Sequence, residues 1–252
     1  MGIIIKSPEE IAAMRRAGQI VARVLDTMVK KLRPGMKTRE LDTIAEQEVR
    51  KLDAVPSFKG YHGFPASICA SINDEIVHGI PGDRVIEEGD IISLDFGAIY
   101  QGFHGDAAVT VAVGKTSAPA VKLVAAARGA LQAGIAAARP GTGLGDVSVA
   151  IQRYAESRGF SVVREYTGHG IGREMHEEPQ VPNFGTPGTG PVLAKGMTLA
   201  LEPMLNAGDW HTRVEADRWT VRTADGSLSA HFEHTIAITD EEPEVLTRGV
   251  YA

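Results

Sequence analysis

Four carboxylates and three histidines stand at spacings that could do chemistry. Asp95 and Asp106 flank FGAIYQGFHG, Glu202 closes MTLALE, and Glu233 lies in HFEHTIAI. Side chains alternate along a strand. In IISLDFGA, Ser93, Asp95 and Gly97 therefore share one face, and Ile92, Leu94 and Phe96 the other. In DAAVTVAV, Asp106, Ala108 and Thr110 oppose Ala107, Val109 and Val111. Glu202 falls with Thr198 and Ala200, and Glu233 with His231 and Thr235. Each acid thus lies on the less apolar face of its strand. A hairpin turning near Tyr100–Gly102 sets Asp95 roughly opposite Asp106, and directly paired residues have Cβ atoms about 4.5–5.5 Å apart. A single such pair of acids is most often a surface feature. Two glutamates similarly placed further along make a shared site the better reading. Four convergent carboxylates repel one another and need positive charge. A pair of metal ions is the simplest source of it.

The histidines fit that chemistry. His169 lies in YTGHGIG, a glycine-rich turn in which the backbone can come close to a site. His176 follows, and His78 lies in IVHGIP. A lone His is more often structural than a ligand, but His169 between two glycines is the strongest candidate of the three. Oxygen-rich ligation with one imidazole favours Mn, Fe(II) or Co over a thiolate-type zinc site. Read from the residues alone, these positions describe a two-metal hydrolase.

The elements that must position them repeat within the chain. RPGMKTRELD starts at Arg33 and RPGTGLGDVS at Arg139; VIEEGDIISLD ends at Asp95 and VLAKGMTLALE at Glu202. HGDAAVTVAV around Asp106 answers HFEHTIAIT around Glu233, with extra residues of the second copy near 206–226. Three matches in one order predict two related halves, about 1–115 and 116–252, within a single domain 1–252. Ser7, Pro8 and Glu10 predict a capped helix over 8–32, and Thr38 is expected to cap a helix over 39–52. Helices are expected near 118–138 and 145–159. Strands are expected at 66–72, 91–99, 104–113, 161–166, 197–202, 219–223 and 228–239. The predicted class is α+β, an internally duplicated, mostly antiparallel sheet with helices on one side.

Composition narrows the function classes. The chain has 252 residues and a formal net charge of −6, which disfavours a broad nucleic-acid-binding face. The lone cysteine, Cys69, excludes a disulfide framework and a Cys-rich zinc module, and it fits a reducing cytoplasm. No apolar run is read as approaching the ~18 residues of a membrane span.

GYHGFPASICASINDEIVHGIP, ISLDFGAIYQGFHGD, YTGHGIGREMHEEPQVPNF, ALEP and SAHFEHT follow in order along nearly the whole chain. Together they resemble the type I methionine aminopeptidases of the pita-bread fold. The resemblance implies a curved sheet with helices on its outer face. It implies two divalent ions held by Asp95, Asp106, His169, Glu202 and Glu233, with Asp106 and Glu233 bridging. It implies His78 and His176 as substrate-facing catalytic groups, with Glu202 as proton shuttle. Tyr61, Phe64, Cys69, Met175 and Trp219 match positions that line a methionine pocket, beside His78 and His176. The substrate implied is the N-terminal methionine of nascent polypeptides with a small second residue. The setting implied is a cytoplasmic monomer near the ribosomal exit tunnel, with no nucleic-acid specificity and no membrane attachment.

Two departures stand out. Met175 replaces the aromatic residue common before His176 in that family, and softens one pocket wall. His231 stands where Gln is frequent; alternation puts it on the metal face, either behind the ligands or solvated at the rim. The short form is expected from the 25 residues between His176 and Glu202, too few for the type II insert, and from the lack of an N-terminal Cys/His extension. Among rivals, prolidases and aminopeptidases P share the ligand set but usually carry a large extra N-terminal domain. Creatinase-like enzymes and non-catalytic relatives generally lack the metal ligands, and all five are present here.

Overall fold

The computed structural model describes residues 2–249. Among the described residues four α-helices run α1 Pro8–Lys31, α2 Thr38–Arg50, α3 Ala118–Ala137 and α4 Leu144–Glu156, with a short 3-10 turn at Tyr61–Gly63. Ser7 caps α1 in a full capping box: its side chain accepts from Glu10 N–H while Glu10 reaches back to the Ser7 N–H. Thr38 does not cap α2. It is the first helical residue, and its hydroxyl bonds both the N–H and the carbonyl of Gly82. The Glu40 carboxylate instead accepts from Lys37 N–H, and Asp146 does the same for Gly143 N–H ahead of α4.

A nine-stranded sheet carries the site. Its order is β1 (Val55–Pro56), β4 (Ile91–Tyr100), β5 (Phe103–Ala112), β14 (Glu233–Ala237), β9 (Thr198–Leu201), β7 (Thr167–Gly170) and β8 (Glu177–Pro182). Strand β2 (Cys69–Ile72) adds to β4, and β15 (Glu244–Val245) to β14. All these pairings are antiparallel. Two three-stranded sheets flank it: β13 (Ser229–His231), β10 (Met204–Asn206) and β6 (Ser161–Val162); and β11 (Thr212–Val214), β12 (Val221–Thr223) and β3 (Glu75–Val77).

The apolar faces lie under the helices, as alternation requires. Ile92, Leu94 and Phe96 of β4 and Ala107 and Val109 of β5 join Ile20, Val21 and Val24 of α1 in one buried core. On the opposite face, the Ser93 and Thr110 hydroxyls are 2.8 Å apart. Helix α3 is long and apolar enough to cross a membrane by length and composition alone, contrary to expectation. Alanine supplies much of that apolarity; Leu123, Ala127, Ala130 and Leu131 are buried in the common core.

Several strands differ from expectation. The stretch 161–166 forms only Ser161–Val162, and 228–239 breaks at Phe232 into β13 and β14. The 66–72 strand shortens to Cys69–Ile72, and 219–223 to Val221–Thr223. Strands β1, β3, β7, β8, β10, β11 and β15 were not anticipated. They are two to six residues long, too short for periodicity to separate them from loops.

Candidate functional site

Strand register brings the acids together. Asp95 pairs with Ala108 and Gly97 with Asp106, so the two aspartates sit diagonally, two residues off direct pairing and still on one face. The cause is the turn. Gln101 and Gly102, with φ of 49° and 77°, make a two-residue loop that closes Tyr100 onto Phe103. That loop centres the hairpin one residue later than expected. Diagonal neighbours on one face remain within reach of each other. Glu233 pairs with Ala108 from the other side, so Ala108 separates Asp95 from Glu233 along one row. His169 and Thr235 both pair with Ala200. The Thr235 hydroxyl accepts from Asp106 N–H and donates to Asp106 C=O. Small residues between the ionisable ones leave the open face of the sheet clear for their side chains.

His169 lies within strand β7, not in a turn. Its glycines serve close packing: a Cβ at Gly168 would stand 2.4 Å from Ala200 O, and one at Gly170 2.2 Å from Glu178 O. His169 Nδ1 lies 2.9 Å from Gly170 O. A carbonyl only accepts, so Nδ1 carries the proton and Nε2 offers its lone pair. That Nε2 is 3.5 Å from Glu202 Oε1.

These side chains line one cavity of about 240 Å³ with Tyr61, Phe64, Cys69, His78, Met175, His176 and Trp219. The four acids and the imidazole expected to hold metal, and the residues expected to line the methionine pocket, are therefore all found at this cavity. Phe58 and His62 also line it and were missed. His62 adjoins Tyr61 in the motif and Phe58 lies three residues before it, and an aromatic or imidazole so placed was the available signal. One wall is apolar: Phe58, Phe64, Ala66, Cys69 and Met175 form a buried cluster against Tyr61 and Trp219. Phe64 and Trp219 meet edge to face at 5.1 Å. Tyr61 Oη is 2.7 Å from His176 Nδ1, and the His176 ring lies 4.2 Å from that of His169. His231 is 2% exposed and lies off the cavity lining, so it is not a solvated rim residue.

Burial dominates the electrostatics. Desolvation pushes the Asp95 carboxyl up to about 7, and Asp106, Glu202 and Glu233 well above their ordinary range, with mutual repulsion adding to the last three. Desolvation also lowers the imidazoles, His169 to about 3 and His78 to about 4. His176 is lowered too, by desolvation and then by His62. Asp95 Oδ1, Asp106 Oδ1 and Glu233 Oε1 are buried with no hydrogen-bond partner. Anionic oxygens so placed are costly unless a cation meets them. Donor atoms of Asp106, His169 and Glu233 all lie within 4.8 Å of one another. Hard oxygens with one neutral imidazole suit a divalent metal ion.

Comparison with known proteins agrees. The model of metallopeptidase family M24 matches residues 12–240. The chain belongs to this family. Among M24 relatives, methionine aminopeptidase 1 of Bacillus subtilis is 52% identical over 246 residues, covering 98% of this chain and 99% of its own. Methionine aminopeptidase 1 of Mycobacterium tuberculosis is 51% identical over 251 residues, covering 97% and 94%. The crystal structure of methionine aminopeptidase from Thermotoga maritima superposes with a TM-score of 0.97 at 51% identity, covering 98% of this chain and 100% of that one. The prolidase of Pyrococcus furiosus, 23% identical, shares the fold with a TM-score of 0.77 over 97% of this chain and 65% of its own. The pita-bread M24 fold, with its antiparallel sheet and outer helices, is thus the fold of this chain.

Proposed function

We propose that the chain removes the N-terminal methionine from polypeptides whose second residue is small, using two divalent ions. One observation carries the reading: a metal-binding set of acids and imidazole shares a single cavity with an apolar wall. Asp95, Asp106, His169, Glu202 and Glu233 would hold the ions, and Co, Mn or Fe(II) suits this donor set. When bound, the ions supply positive charge to a carbonyl oxygen and acidify water for attack.

The chain's own side chains do the rest. The Tyr61 hydroxyl donates to His176 Nδ1, which leaves the proton on Nε2. That N–H stabilises the carbonyl oxygen as negative charge develops on it. His78, uncharged at neutral pH, donates to the peptide. Glu202, half-buried at the cavity, takes the proton of the attacking water and hands it to the departing amine. The methionine side chain lies against Phe64, Cys69 and Met175, between Tyr61 and Trp219, and burying it fully is worth roughly 1.5–3 kcal/mol. His62 and His176, exposed at the mouth, crowd the second residue of the peptide.

Residues 1–252 act as one catalytic unit with halves about 1–115 and 116–252. The matching bridges Lys37↔Val85 and Gly143↔Val192 support that division. The finer setting is a cytoplasmic monomer acting on nascent chains near the ribosomal exit tunnel, which ribosome co-sedimentation tests. Turnover of Met-Ala-Ser and Met-Leu-Ser peptides, with and without chelator, tests the activity. Metal-loaded protein should cleave the first at least about 10-fold faster in kcat/KM, a ratio typical of pocket discrimination by size. Chelator should abolish cleavage, and added metal should restore it. Equal rates on both peptides, or turnover indifferent to chelator, would overturn the reading.

A further inference from the structure

His231 is a buried imidazole that the proposed chemistry leaves unused. It ends strand β13, and its backbone is held from both sides. Its N–H donates to Thr110 Oγ1 at 2.9 Å, and Thr110 Oγ1 donates to its carbonyl at 2.7 Å. Its register partner is Met204, two residues beyond Glu202. The next residue, Phe232, donates its N–H to the carbonyl of Pro203. The chain around His231 is thus tied to β5 on one side and to the segment carrying Glu202 on the other.

The side chain is buried as well. His231 Nε2 is buried and has no hydrogen-bond partner. It stands 3.9 Å from Glu202 Oε2, while Glu202 Oε1 faces His169 Nε2 at 3.5 Å. One carboxylate therefore lies between two imidazoles. His169 belongs to the group whose donor atoms converge within 4.8 Å, and His231 does not. We propose, on the basis of the metal site inferred above, that His231 is a positioning residue for Glu202: its Nε2–H faces the carboxylate and orients it for metal binding.

A buried ring nitrogen with no partner costs free energy, and a carboxylate brought within reach of it relieves that cost. At 3.9 Å the two do not yet form a hydrogen bond, for which about 2.7–3.2 Å is needed. Glu202 has rotatable side-chain bonds, and a shift of about 1 Å closes the gap, whereas the His231 backbone is held. The carboxylate therefore moves to the imidazole. Groups behind a ligand that fix its orientation are typically worth 10–100-fold in metal affinity.

The test is Co²⁺ titration calorimetry on wild type, His231→Leu and His231→Gln, with absorption spectra of the Co²⁺-loaded proteins and kinetics on Met-Ala-Ser. His231→Leu should weaken Co²⁺ binding by about 10-fold or more and lower kcat with little change in KM. His231→Gln, which places an amide N–H at similar reach, should recover most of both. The visible spectrum should keep the same set of nitrogen and oxygen ligands in all three proteins. Wild-type affinity in His231→Leu would overturn the proposal. So would equal impairment of the Leu and Gln variants, which would assign the effect to packing of the ring. Loss of a nitrogen ligand from the spectrum would make His231 a ligand and overturn it as well. Failure of the wild-type protein to bind Co²⁺ would remove the metal-site reading itself, a result distinct from any of these.

Discussion

Two strand pairs supply the four acids, and they are built differently. Asp95 and Asp106 lie on β4 and β5, each ten residues long and joined by a two-residue turn. Glu202 follows β9 and Glu233 opens β14, strands four and five residues long, which pair directly but are joined through the whole stretch from 202 to 232. The first pair holds its register by local geometry, and both aspartates are buried. The second is assembled by long-range contact, with β14 set between β5 and β9. Glu202 falls just past the end of its strand, and its side chain keeps 14% exposure. A carboxylate inside a long ladder makes a fixed ligand. One beyond a strand end can move, as a proton carrier must, and depends on neighbours such as His231 for its direction.

The largest expected effect tests that contrast. Asp106→Asn should cut turnover and Co²⁺ affinity by more than about 100-fold, beyond the range for groups lying behind ligands. A neutral amide replaces a buried anion there. Glu202→Gln should lose turnover to a comparable extent but retain more of the metal affinity. Equal loss of affinity in the two variants, measured by calorimetry, would erase the distinction between fixed and mobile acids.

Metal removal affects both pairs together. The metal-free Asp95 carboxyl, pushed up to about 7 from its ordinary 3.8, holds a proton that the unfolded chain has released. Its contribution to stability is present below about pH 4 and is lost as pH rises through about 7. Metal addition at neutral pH should expel protons and, at 100 times its Kd, add about 2.7 kcal/mol of stability. Calorimetry in two buffers of different ionisation enthalpy measures the protons, and thermal melts with and without chelator measure the stability. Identical heats after correction for buffer–metal binding, with an unmoved Tm, would show that the acids do not act as one site.

A smaller effect is expected where the first half reaches across to the second. Tyr61→Phe removes the hydroxyl that lies 2.7 Å from His176 Nδ1, the group proposed to set its tautomer. It should lower kcat by about 10-fold, a hydrogen bond's worth of about 1.4 kcal/mol, with KM nearly unchanged. Nitrogen chemical shifts of His176 should report a mixture of tautomers in the variant and a single one in wild type. Unchanged shifts would confine Tyr61 to the apolar wall.

The smallest effect belongs to Met175. Exchanging one large apolar side chain for another in a buried wall usually costs less than about 1.5 kcal/mol. Met175→Phe should therefore change KM by no more than about 10-fold and leave Co²⁺ affinity as it was. A fall in metal affinity would place this residue nearer the metal chemistry than its packing against the Phe58–Phe64 cluster indicates.

Much of the site was legible because strand alternation is a local property. Ser93, Asp95 and Gly97 must share a face wherever the strand lies, and the apolar residues between them must face the other way. The helix starts at Ser7 and the hairpin at Gln101–Gly102 are equally local, set by a hydroxyl cap and by a glycine that tolerates positive φ. What the chain alone did not determine is whatever depends on a distant partner. The shift of Asp95 against Asp106 is a local exception, set by the detailed geometry of the Gln101–Gly102 turn. The strand identity of His169 came from β8 and β9, which lie beyond it in the chain and sandwich it. Thr38 lost its capping role to Glu40 because Gly82 engages its hydroxyl. His231 was placed by alternation along a strand that breaks at Phe232, and only packing revealed it as buried behind Glu202. The sequence by itself determined which side chains face the same way. The tertiary structure decided that five of them meet in a shared, desolvated cavity, because convergence and burial arise between strands far apart in the chain.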